Sequence, residues 1–172
     1  VYAKLQQFIF MPVLGMNSAL IAIVGYNFGA QKKQRINQAA RYSLIAAVLI
    51  MALGTVLFQL APKWLLGMFN ASEEMLAIGI PALKTISLSF VFAGVSIVLC
   101  SIFQALDDGM LSLWVSLGRQ LILVLPLAWL LSQWGGLNVL WLAFVISEGL
   151  CMLFSIGAYR RVKLRQIDVL AD

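Results

Sequence analysis

Apolar residues fill five long runs of this chain, and polar and charged residues concentrate in the segments between them. A helix needs about 20 residues to cross the roughly 30 Å hydrocarbon core of a bilayer, and each run is long enough. The runs are apolar all round, which favours spanning the bilayer over lying on its surface. The pattern predicts an all-α, polytopic membrane protein that forms a single transmembrane domain over residues 1–172. The predicted spans are approximately 8–28, 39–60, 80–103, 111–131 and 138–159.

The segment between the second and third runs predicts two local elements. Its semi-apolar stretch Trp64-Leu65-Leu66-Gly67-Met68-Phe69 is typical of a short helix in the outer interface. Ser72, followed by Glu73 and Glu74, has the residue types that begin a helix, because a hydroxyl can cap it and anions suit its first turn. We therefore expect one extended third helix that begins there, with Pro81 near the bilayer surface.

Two other connections carry turn signals. Asn27 and Gly29 end the first run, and Gly29 is a natural left-handed residue at a helix end. The pair Gly135–Gly136 predicts the outer turn between the fourth and fifth spans. Trp134 and Trp141 flank that pair, as aromatic residues do at membrane interfaces.

Composition strengthens the membrane interpretation. Of the 172 residues, 62% are hydrophobic and 11% are charged, and the mean hydropathy is +0.96. A soluble domain carries about 25% charged residues, so the alternative, an unusually apolar soluble bundle, fits poorly. The chain has no histidine, and Cys100 and Cys151 lie inside apolar runs as packing residues. Phosphate-binding, dinucleotide and nucleophile motifs are missing from the sequence, so we expect neither an enzyme nor a cofactor.

The basic residues predict how the chain is threaded through the membrane. With five spans, the first connection and the C-terminal tail fall on one side, which then holds eight cations, against Lys4 and Lys63 on the other. Cytoplasmic loops are enriched in Lys and Arg, so we expect the C-terminus in the cytoplasm of a cell whose plasma or inner membrane holds the protein. Orientation in the membrane, rather than nucleic-acid binding, thus explains the net charge of +5. The eight cations are Lys32, Lys33, Arg35, Arg41, Arg160, Arg161, Lys163 and Arg165.

Glu148 is the most informative polar residue because it lies near the middle of the fifth span. It borders a four-spaced row of small residues, Ala143-Ser147-Cys151-Ser155, of the kind that lets helices approach closely. Arg119 lies at a similar depth on the antiparallel fourth helix. It is about 12 Å from the cytoplasmic end of that helix, and Glu148 is about 16 Å from the cytoplasmic end of the fifth. Glu148 is therefore either a proton or cation site or a structural partner for another helix, and Arg119 either pairs with it or reaches to the headgroups. Lys84, one turn inside the outer end of the third helix, is expected to reach outward.

The first span adds two candidates for a substrate or ion pathway. Asn17 and Asn27, with Ser18, either line a polar cavity or form bonds between helices. Pro12 and Pro126 lie within spans and are expected to bend them. The four pathway candidates are thus Glu148, Arg119, Asn17 and Asn27, with no catalytic residue and no metal ligand among them.

Three stretches resemble the multidrug and toxic compound extrusion (MATE) family. The first helix carries Pro12, Gly15 and Ala19 and closes with Asn27-Phe28-Gly29-Ala30 and then Arg35. The sequence SIFQALDDG, from Ser101 to Gly109, is similar to the third connection of the family's second lobe. GRQLILVLPLAWLL, from Gly118 to Leu131, is similar to the helix that follows.

The resemblance implies a twelve-helix transporter of two six-helix lobes, in which this chain forms helices eight to twelve. It implies secondary antiport of cationic or amphipathic drugs in exchange for H⁺ or Na⁺, most similar to the bacterial branch. The implied partners are the lipid bilayer, small organic substrates and the missing N-terminal lobe of a longer chain, of which the segment beginning at Val1 is a fragment. One departure is the third run: some members carry an acidic cation site there, but residues 80–103 hold no Asp or Glu.

Two other functions remain open at this point. A lipid-linked saccharide flippase of similar architecture needs a cation-rich cavity, and the sequence offers only Arg119 and Lys84 at depth, which disfavours it. A membrane scaffold without transport would use Glu148 as a structural bond. The sequence does not choose the substrate or the coupling ion.

Overall fold

The computed structural model describes residues 2–69 and 72–170, which form helices joined by short turns. Within these two ranges no β-strand occurs, in agreement with the all-α prediction. The helices are α1 (Tyr2–Gly29), α2 (Lys33–Leu60), α3 (Pro62–Gly67), α4 (Glu73–Ser87), α5 (Phe90–Ala105), α6 (Gly109–Leu117), α7 (Val124–Leu140) and α8 (Leu142–Val162). A π-helical segment, Gly118–Leu123, joins α6 to α7, and a second one, Lys163–Ile167, extends α8.

The described residues contain helices that suit five crossings of a membrane. Four helical stretches are long and apolar enough to span: Lys4–Gly29, Lys33–Leu60, Gly109–Gln133 and Leu142–Ile167. The pair α4 and α5 makes a fifth candidate, bent by 50° at its break. The predicted helical membrane fold is therefore confirmed.

The third predicted helix is broken, contrary to the expectation of one extended helix. It begins as predicted, because the Ser72 hydroxyl accepts a hydrogen bond from the Met75 amide at 3.3 Å. It is interrupted at Leu88 and Ser89, where the backbone amides bond back three residues instead of four. The Ser89 hydroxyl also donates to the Ile86 carbonyl at 2.7 Å. Serine side chains that compete for helix carbonyls in this way bend helices.

The outer turn between the last two spans is also displaced from its predicted position. The α7 backbone is helical through Gly135 and Gly136 as far as Leu140, and the turn falls at Trp141. Each glycine costs a helix only about 1 kcal/mol relative to alanine, so the pair does not force an end. Trp141 stacks on Phe144, with ring centroids 6.4 Å apart. The side chains of residues 134–139, and with them the predicted role of Trp134, lie outside what the structure describes.

The left-handed residue of the first connection is not the glycine that the sequence predicts. α1 ends at Gly29 as predicted, but the left-handed backbone belongs to Gln31, with φ 56°. Its amide and that of Lys32 return to the carbonyls of Phe28 and Asn27, at 3.0 and 2.9 Å, which closes the turn. Asp107 has the same left-handed conformation, with φ 64°, in the turn before α6.

An ion pair joins this connection to the C-terminal segment. Lys33 Nζ lies 3.5 Å from Asp168 Oδ1 and also donates to the Asp168 carbonyl at 3.4 Å. These residues are 135 positions apart, so the contact fixes the first connection and the tail at the same end of the bundle. That is the arrangement that the distribution of basic residues requires.

The segment after α2 contains the short helix that the sequence predicts. α3 starts with Pro62 at its first position, where a missing amide hydrogen costs nothing. Leu65 and Leu66 face the bundle and are buried, whereas Trp64 and Met68 are exposed. An apolar residue pair thus anchors α3 to the protein while its other face points outward.

Helix α5 lies at the centre of the bundle, in contact with α1, α2 and α8. At its start, the Phe90 ring makes T-shaped contacts with Phe10 on α1 and Phe58 on α2, at centroid distances of 5.5 and 5.1 Å. Further along, Gly94 allows α5 and α2 to approach closely, because a Cβ there would lie 2.7 Å from Met51 Cγ. Lipid tails are as apolar as leucine, so close packing of this kind stabilises membrane helices more than apolar burial does.

Candidate functional site

An ion pair between the last two spans forms the centre of the candidate site. Arg119 Nε lies 3.8 Å from Glu148 Oε1, and both side chains are about four-fifths buried. The second carboxylate oxygen, Glu148 Oε2, is buried and has no hydrogen-bond partner within the described part of the chain. The structure thus brings together the two candidates whose depth suggested pairing, and the alternative in which Arg119 reaches to the headgroups is not observed.

The local backbone explains how Arg119 reaches this position. It lies in the π-helical segment Gly118–Leu123, which follows the regular α6 and precedes Pro126. A π turn holds one extra residue, so it rotates the side chains that follow relative to those of α6. This irregular segment precedes Pro126, where the sequence predicts a bend, and Arg119 lies within the segment.

The small residues of α8 place Glu148 on the inner side of that helix. The row predicted from the sequence is buried against the neighbouring helices, with exposures of 3% or less at Ala143, Ser147, Cys151 and Ser155. Cys151 Sγ also approaches the Val115 carbonyl of α6 at 3.8 Å. Glu148, next to this row, faces Arg119 of the π-helical segment Gly118–Leu123, which α8 contacts.

Arg119 also borders a cavity of about 460 Å³ between α1, α5 and α6. Asn17, a candidate from the first span, lies on the opposite wall and is 5% exposed. Both its amide oxygen and its amide nitrogen lack hydrogen-bond partners in residues 2–69 and 72–170. The cavity is lined by Phe10, Leu14, Asn17, Ser18, Ile21, Ser96, Ile97, Cys100, Ser101, Gln104, Val115, Ser116 and Arg119.

Asn27 takes no part in this cavity. Its amide donates to the Ile23 carbonyl at 2.7 Å, one turn earlier on the same helix. Its backbone carbonyl closes the turn after α1, so its position serves the helix end. Of the four candidates, the structure therefore gathers Glu148, Arg119 and Asn17 and leaves Asn27 apart. Lys84 is exposed on α4, in keeping with a side chain that reaches outward.

A polar cluster at the break between α4 and α5 was missed by the sequence reasoning. Thr55 Oγ1 on α2 lies 2.9 Å from both the Ser87 carbonyl and the Met51 carbonyl of its own helix, which share its one hydrogen, and Gln59 donates to the Lys84 carbonyl at 2.7 Å. Gln59 also bonds the Ser87 hydroxyl at 3.1 Å. These bonds satisfy carbonyls that the break releases from the helix ladder, as irregular backbone at membrane depth requires. The signal was present in two polar residues, four positions apart, near the end of an otherwise apolar span.

Known proteins with the same fold give this geometry its context. The MatE family model matches residues 1–130. A curated relative, the probable multidrug resistance protein NorM of Pseudomonas syringae pv. tomato, is 25% identical over 139 residues, covering 77% of this chain and 30% of that protein. The solved structure of the MATE multidrug transporter DinF-BH is 28% identical with a TM-score of 0.86, and the match covers 98% of this chain and 37% of that one.

The fold match extends to a transporter solved in an inward-facing conformation. This multidrug resistance MATE family transporter gives a TM-score of 0.90 at 19% identity, over 98% of this chain and 39% of that protein. The chain thus spans well under half the length of the proteins that it matches. Because the family model covers most of the chain and the fold agrees, this protein belongs to the multidrug and toxic compound extrusion (MATE) family.

Proposed function

We propose that this chain is the larger part of one lobe of a secondary antiporter that exports cationic or amphipathic organic compounds in exchange for H⁺ or Na⁺. The support is its membership of a family of multidrug transporters together with polar groups at mid-membrane depth. Arg119 lies about 15 Å along the helix from Gly109, and Asn17 about 18 Å from Gly29, by the helical rise per residue. Ionisable residues such as Arg119 are rare within transmembrane segments and usually mark ion or substrate pathways.

The observation that carries the proposal is the incompletely satisfied pair of Arg119 and Glu148. The two charges are close enough to attract one another, but 3.8 Å is too long for a strong hydrogen bond. Glu148 Oε2 has no partner in the described residues, so this carboxylate can accept a cation without breaking a bond first. We propose that uptake of the coupling ion at Glu148 loosens its hold on Arg119, which borders the substrate cavity.

The broken third helix supports a transporter more than it supports a static scaffold. Transporters of several folds use discontinuous helices around a central site, and their repeats rock about it. Here the break at Leu88–Ser89 is stabilised by Thr55 and Gln59 from α2. An acidic cation site in α5 is not part of the proposal, because residues 90–105 hold no Asp or Glu.

We also propose the orientation and the surroundings of the chain. The Lys33–Asp168 pair holds both basic clusters at one end of the bundle, and the excess of Lys and Arg there favours the cytoplasmic side of a plasma or inner membrane. The partners would be the bilayer, small organic substrates and the lobe that this chain lacks. Neither a bound cofactor nor nucleic acid has a place in this mechanism.

Accumulation of fluorescent dyes tests the proposal. The full-length transporter, expressed in cells that lack their own efflux pumps, should lower dye accumulation, and collapse of the H⁺ and Na⁺ gradients should restore it. Accumulation that is unchanged with and without the gradients would contradict antiport. The flippase alternative predicts translocation of a lipid-linked cell-wall precursor instead. It is disfavoured because Arg119 is the one cation among the described residues that line the cavity, and a pyrophosphate needs several.

A further inference from the structure

The charge of the cavity between α1, α5 and α6 is unlike that of a site built for cations. Arg119 is the one charged residue among the described residues that line it, and no carboxylate is among them. Glu148, the nearest acidic group to Arg119, contacts it from α8 and is not part of the cavity wall. The one formal charge on the described wall is therefore the positive charge of Arg119, and its ion-pair partner Glu148 lies outside the wall.

Arg119 has donors to spare. A guanidinium carries five N–H groups in a planar fork that matches a carboxylate. The structure gives Arg119 a single charged neighbour within 4 Å in the described chain, at its Nε, and that distance of 3.8 Å exceeds a hydrogen bond. No hydrogen bond from Arg119 to a described residue is formed, so its terminal N–H groups can donate to an acceptor that enters the cavity.

Asn17 is a second polar group whose bonds are unfilled. It is 95% buried, and neither its Nδ2 nor its Oδ1 has a partner in the described ranges. Buried side-chain amides are normally hydrogen-bonded, so an amide left without partners on a cavity wall points to a ligand or to water. The neighbouring hydroxyls offer no further donor, since Ser18, Ser96 and Ser101 donate their hydrogens to carbonyls of their own helices at 3.4, 3.0 and 3.1 Å and can only accept from the cavity.

We infer that this cavity binds the carboxylate of an amphipathic substrate, with Arg119 and the Asn17 amide as donors. The volume of about 460 Å³ is in the range of sites for small organic molecules. Apolar side chains on the same walls, including Phe10, Leu14 and Ile97, suit the aromatic or aliphatic body of such a molecule. The inference deepens the proposed export function and rests on it for the ligand being a substrate. It narrows the preferred class to compounds that carry a carboxylate, whether or not they also carry a cation.

A pair of dyes that differ in one group provides the test. Tetramethylrhodamine has a free carboxylate, and its methyl ester is the same cationic fluorophore without that negative charge. Binding to the full-length transporter in phosphatidylcholine nanodiscs is measured by fluorescence polarisation. The wild-type protein should bind the free carboxylate about tenfold more tightly than the ester, a difference of roughly 1.4 kcal/mol. Equal affinity for the two dyes would overturn the inference.

A single and a double variant assign the preference to Arg119, and the double variant keeps the net charge of the pair at zero. Glu148→Gln leaves Arg119 without its neighbour and should increase the preference for the carboxylate. Adding Arg119→Gln to that variant should abolish the preference, and a tenfold preference that survives in the double variant contradicts the role of Arg119. Lys84→Gln, which removes a cation outside the cavity, is the charge-matched control and should leave the preference unchanged.

A change at Asn17 supplies an independent test. Asn17→Asp places a negative charge on the cavity wall with little change of volume, and it should reverse the preference in favour of the ester. If the wild-type preference persists in this variant, Asn17 does not face the ligand. Because binding in nanodiscs needs no ion gradient, dyes that bind with the stated preference but are not exported would refute the proposed antiport alone.

Discussion

The close approach of α5 to α2 at Gly94 allows a quantitative prediction. A Cβ at this position would lie 2.7 Å from Met51 Cγ and 3.6 Å from the Ala47 carbonyl, and Met51 is fully buried. Gly94→Ala therefore forces Met51 into another rotamer or pushes the helices apart, at a cost of about 1–3 kcal/mol. The better helix propensity of alanine returns up to about 1 kcal/mol. We expect a net loss of up to about 2 kcal/mol.

Gly149→Ala is the matched control. It also places a methyl group between two helices, α8 and α5, but there the nearest atom, Phe92 Cδ2, is 4.0 Å away, which is ordinary contact. Both variants gain the same helix propensity, so the free energy of unfolding of the full-length transporter in one detergent should be about 1–3 kcal/mol lower for Gly94→Ala. In a Met51→Ala background the penalty at Gly94 should disappear. Equal stability of the two alanine variants would refute the close packing described here.

Three other contacts allow predictions of the same kind. Thr55→Val removes, at nearly constant volume, the hydroxyl hydrogen that the Ser87 and Met51 carbonyls share, and should lower the free energy of unfolding by about 0.6–1.7 kcal/mol; a change below about 0.2 kcal/mol would mean that this hydroxyl does not stabilise the break. Ser72→Ala removes the cap of α4 and should cost about 1 kcal/mol in the same unfolding assay, whereas Ser72→Asp should retain most of the stability. Cysteines placed at Lys32 and Arg160 should react with a membrane-impermeant maleimide from the same, cytoplasmic side; labelling from opposite sides would contradict the arrangement that the Lys33–Asp168 pair supports.

The sequence predicts much of this fold because a membrane leaves few choices. Apolar length sets the number of candidate spans, and the Ser72 cap and the small residues beside Glu148 act through local rules that hold in the structure. Depth also made the pairing of Arg119 with Glu148 one of two open alternatives, because the helical rise per residue places the two residues at similar heights in the membrane.

The structure departs from the sequence prediction where contacts between distant parts of the chain determine the local backbone. The Ser89 hydroxyl bends the helix locally, but the carbonyls of Ser87 and Lys84 find their partners in Thr55 and Gln59, which lie about thirty positions earlier in the chain. The outer turn at Trp141 and the left-handed Gln31 were missed because a nearby glycine was the stronger local signal in each case. Asn17 and Asn27 could not be separated from the sequence either, since only the packing of α1 against α5 decides which amide borders the cavity.

The central claim is that Glu148 and Arg119 act together in transport, and proteoliposomes test it most directly. The measurement is dye uptake by the full-length transporter under an imposed H⁺ or Na⁺ gradient, with the melting temperature of each variant as a check on folding. We predict that Glu148→Gln folds normally and loses gradient-driven uptake by at least tenfold, while Gly149→Ala retains it. Uptake by Glu148→Gln at the wild-type rate, under both gradients, would contradict the claim and leave the pair a structural link between α8 and the π-helical segment.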